Sequence, residues 1–172
     1  MSRTLLAIGL TALLGAAFPA LAAEHEVYAV SGAGYLSSPS RLLAGVGGGP
    51  GYRLHLTPAL AVHTEVRWLG LLGNAWSISA GGIYSMAMGP WRPGAGLQIT
   101  GFLGDQVRIV SSTAPDPVSP FGVSLQARFV PLRFEQGSAQ CSVLGFDLGG
   151  GIDHGHASFS LLFSLLEIGY RF

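Results

Sequence analysis

The stretch Asp153-His154-Gly155-His156 is the first place in this sequence where chemistry could gather. In an extended chain His-x-His turns both imidazoles to one side, and a nearby carboxylate could complete a metal site. No further ligand cluster accompanies it, so the favoured reading is a glycine-containing turn with exposed histidines and no metal or cofactor. The glycine clusters Gly45 to Gly51 and Gly149 to Gly151 are not phosphate loops, because no P-loop lysine or helix start follows them. Glycine within strands instead permits bends and close packing. A third group is dispersed: Arg53, His55, His63, Glu65, Arg67, Arg128, Asp147, Glu167 and Arg171. In an enclosed space their opposite charges could pair and fill it. Alternatively, His55 and His63 could gate a narrow, proton-sensitive ion path. Pairing is the reading preferred.

The elements that must position these residues are strands, because the polarity alternates with period two. Leu60, Val62, Val66 and Trp68 share one face with Thr64, while Ala61, His63, Glu65 and Arg67 share the other. Tyr52, Leu54 and Leu56 alternate with Arg53 and His55, and Thr57-Pro58-Ala59 joins the two runs as a hairpin. If that turn sets the register, Arg53 lies near His63 and diagonally near Glu65. Val123, Leu125, Ala127 and Phe129 repeat the pattern, as do Leu97 with Ile99, and Ile78, Ala80, Tyr84 and Met86. At the end, Leu162, Leu166, Ile168, Tyr170 and Phe172 are expected on one face, opposed by Glu167, Gly169 and Arg171. Turn-forming residues divide the chain into eight runs: 27–36, 42–56, 60–71, 76–88, 93–104, 120–134, 141–152 and 157–172. The uncharged stretch from Trp68 to Trp91 could be read as one transmembrane helix, but glycines and alternating serines interrupt it.

Residues 1–22 read as a secretory signal, with Arg3 in a positive start, an apolar stretch from Thr4 to Phe18, and Ala20-Leu21-Ala22 at the cleavage site. One domain, 23–172, is expected after it. Nine basic and nine acidic residues balance to zero, so there is no electrostatic case for nucleic acid. Charged residues make up 10% of the chain and hydrophobic ones 49%, too few charges to cover a soluble surface comfortably. Cys141 is the only cysteine and is read as a small apolar strand residue.

Alternation does not say which face points inward. A lipocalin-like barrel hides its apolar face, whereas a membrane barrel turns it toward lipid. The ionisable face is sparse and mixed in sign, which suits an interior of paired charges. With the amino terminus in the periplasm, Tyr28, Tyr52, Trp91, Tyr170 and Phe172 fall near the periplasmic ends, and Tyr35, Trp68 and Trp76 near the outer ends. Two aromatic belts are expected at membrane–water boundaries. The longest connection, Gln106 to Pro120, then lies outside. The expected fold is therefore all-β: an eight-stranded antiparallel up-and-down transmembrane barrel, monomeric, with its wall against outer-membrane lipid and lipopolysaccharide.

Leu166, Ile168, Tyr170 and the final Phe172 resemble the carboxy-terminal insertion signal of bacterial outer-membrane proteins. The resemblance implies delivery by the barrel-assembly machinery. The segments Gly51 to Pro58 and Leu60 to Arg67 resemble the second hairpin of small OmpA/OmpX-like barrels. The expected role is structural or surface-interacting, without catalysis. One alternative is hydrolytic: His156-Ala157-Ser158 is similar to the His-x-Ser pair of outer-membrane lipid A deacylases, with Glu167 as a candidate orienting carboxylate. The chain lacks the Asn-Ala-Gly that follows the serine in that family, and Glu167 lies nine residues along the same strand, roughly 30 Å away. A secreted lipocalin-like carrier of an apolar ligand is the other alternative.

Overall fold

The computed structural model describes residues 24–39, 42–70, 74–104 and 121–172. Among them are nine strands: β1 (Glu24–Ser37), β2 (Leu42–His55), β3 (Leu60–Gly70), β4 (Ala75–Ser85), β5 (Gly94–Gly104), β6 (Gly122–Val130), β7 (Leu132–Gln136), β8 (Ala139–Asp153) and β9 (His156–Arg171). β6 and β7 are two parts of one stave, since both pair with β8. Pro131 divides them because it brings no N–H to the ladder. The run expected at 120–134 is therefore interrupted. The expected signal (1–22), the connection 106–120 and Gly73 lie outside the described residues.

Every pairing is antiparallel, and β1 meets β9 from Glu26↔Arg171 to Ser37↔Phe159. The sheet thus closes into an eight-stave barrel and leaves no open edge in need of backbone partners. In the region once open to a helical reading, β4 pairs with both β3 and β5. No helix among the described residues is long and apolar enough to cross a membrane.

Local chemistry sets the turns. Thr57 Oγ1 accepts hydrogen bonds from the backbone N–H of Ala59 (3.3 Å) and Leu60 (2.9 Å), which fixes the β2–β3 hairpin. Arg53 then falls opposite His63, and Gly51 opposite Glu65. β8 and β9 are joined by His154 and Gly155, both with positive φ (52° and 78°), the conformation a two-residue hairpin turn requires.

The wall is apolar outside and polar within. Leu97, Ile99, Leu125 and Ile168 are 61, 58, 59 and 56% exposed, whereas Arg53 and Glu65 are each 1% exposed. Cys141 is a free thiol on the outer side of β8. A barrel that carried an apolar ligand would show the opposite arrangement.

Alternation is not continuous in three adjacent staves. In β6 the even positions point inward as far as Val130, but in β7 Arg133 does so. In β8 the inward set changes from Gln140 and Ser142 to Gly145 and Asp147 across Leu144, whose φ is 63°. In β9 it changes from Ser164 to Glu167, where Leu165 is an extra residue against Ser31 and Gly32 of β1. The three breaks line up at one height as a seam. They overturn one expectation: Leu162 is fully buried inside the barrel, on the face opposite Leu166, Ile168, Tyr170 and Phe172.

Leu125→Arg at mid-wall is expected to lower unfolding free energy in lipid vesicles by about 2–4 kcal/mol, the cost of a cation facing hydrocarbon. Denaturant titration monitored by fluorescence checks this, and a loss under about 0.5 kcal/mol would contradict a lipid-facing wall.

Candidate functional site

The interior is organised in layers. Its middle holds four arginines, Arg53, Arg67, Arg128 and Arg133, and four carboxylates, Glu26, Glu65, Asp147 and Glu167, all buried. Arg53 bridges Glu26 and Glu167, with Glu167 Oε1 at 2.8 Å. Arg128 reaches Glu167 at 3.2 Å, Glu65 at 3.4 Å and Asp147 at 3.7 Å. Arg67 pairs with Glu65 and lies 3.6 Å from Asp147. Arg133 joins Glu26 (3.3 Å) to Glu135 (2.8 Å) at the end of the barrel where β1 begins and β9 stops. Each carboxylate touches at least one guanidinium, so the lattice is neutral as a whole.

Neutral side chains fill the remaining bonding capacity. Gln140 Oε1 accepts from Arg53 (2.7 Å) and Arg133 (2.9 Å), while its Nε2 donates to Glu167 (2.7 Å). Gln98 Oε1 accepts from Arg128 (3.0 Å), and Gln98 Nε2 donates to Gln126 (2.9 Å). Gln126 donates in turn to Ser160 (2.9 Å). Toward the opposite end, Leu36, Leu43, Leu69, Ala75, Phe102 and Leu162 form an apolar layer above the charges.

The expected site residues separate by position. Arg53, His55, His63, Glu65, Arg67, Arg128, Asp147 and Glu167 come together inside. His55 Nε2 lies 2.8 Å from Glu26, and His63 Nε2 lies 3.0 Å from Gln98. Both imidazoles are thus held in the packed lattice. Arg171 is different: it sits at the rim, partly exposed, with Glu24 at 3.1 Å and Glu135 at 3.0 Å. The stave ends there and water reaches the guanidinium.

Of the expected interface aromatics, Tyr35, Tyr52, Trp68, Trp76 and Trp91 lie on the outer wall. Trp68 and Trp76 are cross-strand partners at the far end. Tyr28 does not join them. It is buried inside, donating to Glu65 at 3.2 Å, with the Arg53 guanidinium 4.6 Å from its ring centre. The cause is the pleat: Tyr28 shares a face with Glu26. Space for the ring comes from Gly51 and Gly169, its partners on both sides. A β-carbon on residue 51 would stand 2.1 Å from Tyr28 Cζ.

Glu26, Arg133 and Gln140 were not expected in the lattice. Glu26 was legible, since it alternates with Val27 and Ala29. Arg133 has an odd spacing from Arg128 across Pro131, and two inward arginines at that spacing require a break in the pleat.

The hydrolytic constellation does not assemble. The Ser158 hydroxyl is buried, His156 is exposed at the turn, and Glu167 is bonded to Arg53 and Arg128. Among the described residues no group of three or more His, Cys, Asp or Glu side chains is arranged to hold a metal ion.

No protein-family model and no curated protein matches the sequence. Among solved structures, the chain is similar to the N-terminal beta-barrel domain of Pseudomonas aeruginosa OprF, with 12% identity, a TM-score of 0.54, and 87% of this chain and 97% of that one covered. It is also similar to Neisserial surface protein A (NspA), with 12% identity, a TM-score of 0.60, and coverage of 90% and 100%. Likeness at this identity establishes the fold. Together with the apolar wall and the ionic interior, that fold defines a small β-barrel of the bacterial outer membrane.

Arg53→Met leaves Glu26 and Glu167 short of a cation and is expected to cost about 3–5 kcal/mol of stability. In a double-mutant cycle with Glu167→Gln the two losses should fail to add by more than about 0.5 kcal/mol. Additive losses, measured by reversible unfolding in vesicles, would mean that the pair does not act as a unit.

Proposed function

We propose that this barrel is a sealed, non-catalytic scaffold of the outer membrane, with a structural or surface-interaction role carried by the connections at its far end. The observation that supports this reading is the filled interior: four guanidiniums and four carboxylates neutralise one another, and the Leu36–Phe102–Leu162 layer lies above them. An eight-strand barrel is only wide enough for side chains to fill it, so a packed lattice replaces a channel. In this reading β1 starts on the periplasmic side, and the turns at 56–59 and 137–138 face the periplasm. The β8–β9 turn at 154–155 faces outward. The wall contacts lipid and lipopolysaccharide, and one chain suffices to close it.

Two measurements test the proposal. In planar bilayers the purified barrel should give no resolved ion conductance, and discrete channel openings would refute the sealed interior. On gels the unboiled protein should migrate apart from the boiled form, reflecting a barrel that resists detergent until heated. A single unshifted band would remove the membrane-barrel reading itself.

A further inference from the structure

The outer wall is not uniformly smooth. Near the β1-start end, Tyr84, Ala95, Phe129 and Phe146 form one row across four adjacent strands, each being the direct cross-strand partner of the next. All but Ala95 carry large rings, so the row has a methyl group where its neighbours project aromatic side chains. The result is a groove of about 290 Å³, bounded toward the end of the barrel by Met86 and Pro131. Its lower margin coincides with the seam, where Pro131 interrupts the stave. Just beyond, Trp91 donates its indole N–H to the Pro131 carbonyl at 2.8 Å, which fixes an amphipathic ring at that end.

We propose that this groove is a binding site for one acyl chain of a phospholipid in the periplasmic leaflet. The proposal rests on the reading of the outer wall as lipid-facing. Three features favour an acyl chain. The groove is continuous with the wall that meets hydrocarbon. Its lining is aromatic, aliphatic and prolyl, with no charged side chain. Trp91 stands at its mouth, at the height where aromatic rings mark the membrane–water boundary and where the ester end of a lipid would lie. A chain seated between the Tyr84 and Phe129 rings over Ala95 would keep contacts on both flanks that a flat wall cannot offer.

The folded protein in mild detergent, titrated with dioleoyl phosphatidylethanolamine and observed by native mass spectrometry, tests this. A saturable adduct of one lipid per barrel is expected. Ala95→Phe, which fills the groove, should weaken it about tenfold or more. Ala80→Phe, on the same wall outside the groove, should leave it unchanged. Phe129→Ala, which removes one flank, should also weaken the adduct and serves if Ala95→Phe does not fold. Adducts that grow without saturation, or equally in wild type and both groove variants, would overturn the proposal. So would a dimer abolished by Ala95→Phe, which would make the groove a contact between copies. Heat-modifiable migration of the same samples separates the two readings: a shifted band without a saturable adduct removes only the lipid site, and loss of the shift removes both.

Discussion

Burying eight ionised side chains in a closed barrel is the constraint to which the rest of this structure answers. Each guanidinium or carboxylate taken from water carries a desolvation penalty of several kcal/mol, recovered only where an opposite charge and further hydrogen bonds stand ready. Here they do. Glu26 lies between Arg53, Arg133 and His55, and Glu167 between Arg53, Arg128 and Gln140. Such a lattice tolerates little displacement, because moving one member leaves several partners exposed to an apolar surrounding.

The seam follows from that constraint. A strand of unbroken pleat shows every second residue to one side. In β9, the parity that places Ser158, Ser160, Leu162 and Ser164 inside would, if continued, send Glu167 into lipid and Ile168 and Tyr170 into the lattice. In the β6–β7 stave it would expel Arg133. Leu144 in its left-handed conformation, the extra residue Leu165 and Pro131 shift the parity together in three neighbouring staves. Ladder regularity is given up locally, and in return Arg128 and Arg133 of one stave, Asp147 of the next and Glu167 of the third all point inward.

The same geometry explains why the interior reads as a plug. Glu167 is not available to orient a histidine beside Ser158, because it already holds Arg53 and Arg128. An apolar carrier would need the hydrocarbon side within. Polar inside and greasy outside suits only a barrel whose solvent is lipid.

Much of this was legible in the residues. Period-two alternation located the staves to within three residues of their observed bounds, apart from the interruption at Pro131. The Thr57-Pro58 turn set the pairing of Arg53 with His63. The scarcity of charge named the solvent. These are local properties, fixed by the pleat, by turn chemistry and by transfer free energy. Which way Tyr28, Leu162 and Arg133 point was decided only when the barrel closed. Tyr28 needed glycines from two other strands to make room for its ring, and Leu162 and Arg133 turn inward through a seam shared by neighbouring staves. A chain read one residue at a time carries its own alternation, but a shift of parity takes effect only against a neighbouring strand, and that neighbour is supplied by the fold.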